Sequence, residues 1–377
     1  HMRKILLYLL VCFSFVFNAN AQTDIDTSEI GGITTAAPFL LIIPDARSGA
    51  MGDIGVATSA DAFSLFHNPA KMAFSNRQVS AGITYSPWLR NLTDDIFTGS
   101  VSYMNRFSEN AAWGADFKYF SLGQIDLTDS GGNPTGIINP NEFVFTGSYA
   151  LKLSETFSMG VSLKYLRSNL AFTGTTSTLQ PINSFGVDVS GYYQSEEENY
   201  GTFNGKYRFG FNVANIGPKV SYVPGEEDFI PTNLKIGGGF DFILDDYNTI
   251  STTIEFTKLL VPSPQRDGSD EDVSWVSGIF SSFGDAEDGF SEELQEFTYA
   301  FGTEYLYNNA FALRAGYFHE NENKGNRQFF TMGAGFKTNA LNVDLSYLAN
   351  ASDVNNPLEN SLRFSVSFDL GEIYDDY

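Results

Sequence analysis

The sequence predicts an all-β fold, a transmembrane antiparallel β-barrel of about fourteen strands. Three observations carry that expectation. Apolar and polar residues alternate with period two in segment after segment. Long and short connections alternate between those segments. The composition is rich in aromatic residues and glycine (35 Phe, 19 Tyr, 35 Gly), while only 18% of residues are charged. After residue 21 no apolar run is long enough to cross a bilayer as a helix, so a crossing has to be made by strands.

The chain opens with His1 ahead of Met2, read as a cloning remnant, and Arg3-Lys4 form a short basic region. Ile5–Phe17 is apolar apart from Ser14, and Ala19-Asn20-Ala21 offers small residues at the positions a signal peptidase reads. Residues 1–21 therefore read as a secretory signal cleaved before Gln22. The rival is a lipoprotein signal around Leu9-Leu10-Val11-Cys12, but the apolar run continues well past Cys12. Cys12 is the only cysteine, so the mature chain has no thiol for a disulfide, a nucleophile or a metal. Residues 22–77 then form an N-terminal periplasmic or luminal segment, 78–368 the barrel, and 369–377 an acidic tail.

Within the N-terminal segment, Asp45–Phe74 stands out. Its first half is built of small residues, among them Ala46, Ser48, Gly49, Ala50, Gly52 and Gly55. Such a run lets backbone approach backbone, which suits a chain folded inside a confined space. Its second half ends in His67-Asn68-Pro69-Ala70, where Pro69 turns the chain and excludes a helical Asn68.

The strand pattern begins at Val79-Ala81-Ile83-Tyr85, set against Ser80-Gly82-Thr84-Ser86. It recurs with apolar faces starting at Phe97, Ala111, Phe143, Phe157, Phe185, Tyr207, Leu234, Ile250, Phe297, Phe311, Phe330, Leu341 and Leu362. Each segment is about ten residues long, the length of a tilted strand that crosses an outer membrane. The apolar faces carry aromatics toward both ends, as the girdles at the two membrane interfaces require. The closing segment ends at Phe368; the acidic residues after it leave open whether Phe368 or Tyr377 is the terminal aromatic.

Connections give a separate test. Long ones (88–95, 121–140, 168–183, 217–231, 259–294, 319–327 and 350–361) alternate with tight ones such as 106–110, 152–156 and 243–248. Only Gln194–Lys206 breaks the rule. Long loops outside and tight turns in the periplasm are the pattern of an outer-membrane barrel, and an even strand count is read as leaving both termini periplasmic.

Charge narrows the function. Removing Arg3 and Lys4 from 22 basic residues leaves 20 against 45 acidic ones, which argues against nucleic acid as a partner. Catalytic candidates are sparse. His319 sits beside Glu320 and Glu322 and reads as solvated; His67 reads as hydrogen-bonded inside the lumen. A Ser-His-Asp hydrolase would need one of them paired with a serine and a carboxylate, and no spacing suggests it. No catalytic residue, metal site or cofactor is assigned. The loop 259–294 is acidic enough to leave calcium as an option, without EF-hand spacing. The same loop carries Trp275, Val276, Ile279, Phe280, Phe283 and Phe290, which a solvated loop does not need. They form the candidate partner-contact surface. Inward-facing Asp116, Lys118, Lys164, Asp188, Arg208, Lys235, Asp241, Glu304, Arg314 and Lys337 are expected to pair across strands as a mixed-charge lumen.

The ordered set Ala46-Arg47-Ser48, Met51-Gly52-Asp53, Val56-Ala57, Asp61-Ala62 and Asn68-Pro69-Ala70 resembles the start of the FadL-like outer-membrane barrels, and more narrowly their PorV/PorQ branch in Bacteroidetes. Arg47, Asp61, Asn68 and Pro69 are the luminal motif of that resemblance. It implies a fourteen-stranded FadL-like fold and a non-enzymatic component of the type IX secretion system. The implied partners are a large SprA-like translocon barrel, secreted cargo bound through C-terminal signal domains, a surface attachment complex and outer-membrane lipid. The competing readings are a FadL-type transporter of hydrophobic small molecules, which needs an apolar luminal pocket, and a lipid-modifying enzyme, which needs His67.

Overall fold

The computed structural model describes residues 32–88, 95–129, 131–170, 179–270, 272–351 and 361–374. The signal-peptide reading, the leader cysteine, Glu271 and Tyr377 lie outside these residues.

Fourteen antiparallel strands form the wall: β1 Arg77–Pro87, β2 Ile96–Arg106, β3 Ala111–Leu122, β4 Asn141–Lys152, β5 Phe157–Asn169, β6 Ile182–Gln194, β7 Asn204–Ile216, β8 Asn233–Ile243, β9 Asn248–Leu259, β10 Phe297–Tyr307, β11 Phe311–His319, β12 Gln328–Lys337, β13 Leu341–Asn350 and β14 Leu362–Ile373. Each pairs with its sequence neighbours, and β14 closes on β1 through pairs such as Tyr85↔Phe364 and Ile83↔Val366. Closure removes the sheet edge, which would otherwise present a row of unpaired backbone groups to lipid. All fourteen segments of the period-two pattern are wall strands. The one connection that broke the alternation, after β6, is shortened by strand ends the pattern did not reach, and Glu198-Asn199 folds back to pair with Asn204-Gly205 of β7.

The period-two alternation resolves into an outside and an inside. Ile83, Leu163 and Leu313 are 56%, 61% and 63% exposed, while the intervening Thr84 and Ser162 are each 3% exposed. The apolar side chains therefore face outward and the small polar ones inward, the inverse of a soluble sandwich. Aromatic side chains run from strand to strand at the long-loop end: Phe117–Phe143, Phe143–Tyr165 and Tyr165–Phe185 have ring centroids 5.7, 6.2 and 5.4 Å apart. Tyr103–Trp113, 5.4 Å apart, is a counterpart at the short-turn end. Rings at these two levels match the interfaces between hydrocarbon and water.

Two strand ends differ from the pattern. β14 runs past Phe368 to Ile373, with a register shift opposite Arg77/Val79, so the first half of the acidic tail belongs to the wall. Alternation hides this because Gly371 and Glu372 break the apolar face after Leu370, while Asp369 lies on the inward face beside Ser80. His319 was expected in a solvated loop. It is instead the half-buried last residue of β11, stacked on Tyr299 with centroids 4.6 Å apart. The outward aromatic face continues two residues beyond Tyr317, and the ring packs where a loop side chain would be wet.

Candidate functional site

The described N-terminal residues occupy the lumen. Gly32 packs against the backbone of Lys324, in the long loop after β11, close enough that an added Cβ would lie 2.8 Å from its carbonyl oxygen. Ala36 N donates to Phe229 O (2.8 Å) in the long loop after β7. Phe39 is buried there with Val144, Leu166, Val220 and Ile230. The chain then descends. The short helix α1 (Ala46–Gly49), capped by the Asp45 side chain on Ser48 N, lies against β12 to β14, and Pro69–Phe74 lies against β4 to β6 at the short-turn end, where β1 begins. The segment thus runs the length of the barrel. An even strand count puts the start of β1 and the end of β14 at one end, and Tyr374 is there, its hydroxyl donating to Arg106 O. It does not bring the N-terminal approach to that end: Gly32 is at the other.

What fits a chain into so narrow a space is glycine on both partners. The plug contributes small residues, as its sequence indicated. The wall contributes inward-facing glycines at the contact points: a Cβ on Gly316 would lie 2.1 Å from the carbonyl carbon of Met51, one on Gly210 2.1 Å from Val56 O, and one on Gly160 2.5 Å from Ala70 N. Those are backbone atoms, which have no rotamer to yield.

Hydrogen bonds then stitch plug to wall. Ala46 N donates to Ser365 Oγ of β14 (2.7 Å), Gly52 N to Thr331 Oγ1 of β12 (2.8 Å), and Gly55 N and Val56 N to one Glu255 oxygen of β9 (2.8 and 2.9 Å). Asn212 Nδ2 of β7 donates to His67 O (2.8 Å), and Ser158 Oγ of β5 to Ala70 O (2.7 Å). Buried backbone groups of an irregular segment are satisfied this way in a site without bulk water.

Of the four motif residues, Arg47 and Asn68 bond to both plug and wall, while Asp61 bonds within the plug and Pro69 shapes its turn. Arg47 donates to Asp61 (2.8 Å) and Ser59 within the plug and to Glu304 of β10 (2.9 Å). Asn68 caps the turn at Pro69 by accepting from Ala70 N, and its Nδ2 donates to Val56 O and Gly191 O. Asp53 pairs with Arg363 of β14. In the wall itself Lys164–Asp188, Arg208–Asp241 and Arg314–Glu304 pair at 2.7, 2.6 and 2.6 Å, and Lys235 pairs with Glu255 at 3.3 Å. Lys337, grouped with them by its position in the pattern, is an exposed strand end.

The plug also assembles Ser48, His67 and Asp45, a juxtaposition the spacing gave no reason to expect. The geometry is structural. Ser48 Oγ (2.9 Å) and Asp45 Oδ1 (2.7 Å) both meet His67 Nε2, whereas a hydrolase places serine and carboxylate on opposite ring nitrogens. Nδ1 has no hydrogen-bond partner among the described residues, and the ring is 2% exposed against Gly55. Burial alone would push the Asp45 carboxyl up. The adjacent His67 and the hydrogen bonds from His67 and Ser48 outweigh this and hold it well below the usual carboxylate range. Burial, set against the attraction of Asp61, pushes the Lys71 amine down to about 8; its Nζ donates to Gly55 O and Thr58 Oγ1. Among the described residues no group of three or more His, Cys, Asp or Glu side chains is arranged to hold a metal.

Beside the plug, toward the long-loop end, a cavity of about 430 Å³ is lined by apolar Leu41, Ile43 and Phe329 and by charged Glu255, Glu296 and Lys324. The lip above it carries the helices α2 (Trp275–Ser281) and α3 (Phe290–Gln295). Trp275 and Ile279 are half-buried, and Val276, Phe280, Phe283 and Phe290 are exposed. Composition pointed to this loop. It could not point to Lys258 and Lys324, whose pairing with Glu292, Glu293 and Glu296 fixes the loop, because one lysine ends β9 and the other lies in the loop after β11.

The family model described as type IX secretion system protein PorV matches residues 25–266. No curated protein sequence matches the chain. In fold the chain is similar to the toluene transporter TbuX of Ralstonia pickettii, at a TM-score of 0.52 and 13% identity over 87% of this chain and 98% of that one. It is similarly close to the toluene transporter TodX of Pseudomonas putida, at 0.50 and 12% over 90% and 98%. At such identities the likeness concerns the barrel and its fourteen strands alone. With the family match covering well over half its length, this outer-membrane-type barrel belongs to the PorV family of type IX secretion system proteins.

Proposed function

We propose that this barrel acts without catalysing a reaction: it receives secreted proteins through their C-terminal signal domains at a large SprA-like translocon barrel and passes them to a surface attachment complex. The family supplies the secretion system. The observation that favours recognition at the lip over passage through the wall is the plug, bonded to strands all round the described lumen from β2 to β14. A barrel filled in this way has its outer loops left for protein contact, and among the described residues the loop 259–294 offers exposed Phe280, Phe283 and Phe290. In this reading the long loops face outside, the tight turns and Tyr374 face the periplasm, and the plug enters from the outer mouth.

The test is isolation of the tagged full-length protein from native outer membranes in mild detergent, with mass spectrometry of what accompanies it. A very large barrel together with secreted proteins sharing a C-terminal domain is the expected result. The second reading, transport of a hydrophobic small molecule, draws on the luminal cavity of about 430 Å³. Recovery of only lipids or fatty acids would favour it and sink the first.

A further inference from the structure

The lip loop is tied to the barrel mouth by ion pairs. Lys258, fully buried at the end of β9, pairs with Glu293 (2.6 Å) and Glu296 (2.7 Å). Lys324, from the loop after β11, pairs with Glu292 (2.5 Å) and Glu296 (3.4 Å). Ser263 Oγ donates to Glu296 at 2.6 Å. The acidic side chains of α3 and of its C-cap Glu296 are thus turned to the barrel mouth and paired with two lysines, where a solvated acidic helix would turn them outward. Beside it, Gly278 of α2 sits on Pro262 and Phe229, so close that a Cβ there would lie 2.9 Å from the Pro262 ring.

Fixing the polar faces inward sets the apolar ones outward. Phe290 and Leu294, one turn apart on α3, are 77% and 55% exposed, and Phe280 on α2 is 75% exposed. Holding such side chains in water is unfavourable unless something covers them. Around them the loop is acidic: Asp267, Asp272, Glu287 and Asp288 are exposed, with Arg266 the only basic residue among the described residues 260–296. Arg266 is already engaged by Glu287 and Asp288.

We infer that the two lip helices form a preorganised docking platform for a folded protein whose contact surface is an apolar patch fringed by lysine and arginine. This rests on the reading of the lip as the recognition surface and specifies the partner's chemistry. The apolar centre supplies contact, and the acidic fringe supplies steering and excludes partners with an acidic rim. Because the platform is held by buried ion pairs before anything binds, little ordering has to accompany association. An anionic membrane surface is the poorer occupant, since the same fringe would be repelled by it.

The experiment uses the full-length protein in native outer membranes, with a photoreactive phenylalanine analogue at Phe280 or Phe290. The expected adduct is to a protein peptide that carries Lys or Arg beside its apolar contact residues. Its yield should fall by about threefold or more between 0.1 and 1 M salt, and comparably in the triple variant Asp267→Asn/Asp272→Asn/Asp288→Asn at low salt. Adducts to lipid alone, or to a protein surface with an acidic rim, or a yield indifferent to salt and to the triple variant, overturn the inference. Secretion is scored in parallel with Phe280→Ser/Phe290→Ser. If the salt-sensitive basic-rim adduct forms with the analogue in place and secreted proteins still reach the surface in the double serine variant, the platform stands and the secretion reading falls. If secretion is lost while the adduct is salt-indifferent, the reverse holds.

Discussion

Arg47 of the plug and Glu304 of β10 are joined at two points: Nε and Nη2 of the guanidinium donate to the two carboxylate oxygens at 3.2 and 2.9 Å, across 257 residues of sequence. Glu304 also accepts from Arg314, which bonds onward to Asp344 at 2.6 Å. A chain of charges therefore runs from Asp61 through the plug into three wall strands. Its members are largely buried, so removing one leaves others uncompensated.

Arg47→Met is accordingly expected to cost about 3 kcal/mol. The measurement is the temperature at which the folded, fast-migrating band is lost on a gel. The variant should lose it at lower temperature and should pass more ion current in a planar bilayer than the parent. An unchanged melting point and unchanged current would mean that the pair does not hold the plug.

The glycines make a sharper contrast. Gly316→Ala would place a methyl 2.1 Å from the Met51 carbonyl carbon, so either plug or strand has to move. A loss of about 2 kcal/mol or more is expected, as for overpacking of a tight core. Gly147→Ala, in another wall strand, meets nothing within 4 Å and should stay within about 0.5 kcal/mol of the parent. Equal effects at the two positions would contradict the close approach of plug and wall.

The direction of the plug is tested with cysteine, since Cys12 is the only one in the chain and lies in the predicted leader. Thr34 and Asn76 are exposed at opposite ends of the N-terminal segment. Thr34→Cys should react with a membrane-impermeant maleimide on intact cells. Asn76→Cys should react only after the outer membrane is opened. The reverse order of labelling would mean that the segment enters from the periplasm.

Acid is expected to loosen the plug. The folded environment holds the Asp45 carboxyl below its ordinary value of 3.8, to which it returns on unfolding. Its contribution to stability is therefore complete above about pH 4 and drains away as the pH falls through the depressed folded value. Melting followed from pH 6 to pH 2 should show a decline that Asp45→Asn reduces. The variant should also be less stable than the parent at pH 6, because Ser48 and His67 lose a charged acceptor. A decline of the same size in both would remove Asp45 as its cause.

Strands were legible in this sequence because their signal is local. Each residue's neighbour two positions away shares its face, whatever the rest of the chain does. Fourteen alternations and the loop lengths between them sufficed for the barrel and its outward apolar face, and a run of small residues for the confined character of residues 45–74. Arg47, Asp61, Asn68 and Pro69 were visible through a resemblance, without their partners. The ends of strands were less legible: β14 continues to Ile373 across acidic residues, and His319 stays on its strand.

The sequence by itself thus determined a lipid-facing barrel with a small-residue segment ahead of it and an acidic, aromatic lip loop. Only the tertiary structure decided that Glu304, Glu255 and Arg363 receive that segment, that glycines in the wall make room for it, that it descends from the long-loop mouth, and that Lys258 and Lys324 hold the lip helices with their phenylalanines outward. The physical reason is range. Alternation is written in the backbone geometry of a few consecutive residues, whereas these contacts join positions up to hundreds of residues apart, whose meeting is set by how the wall closes.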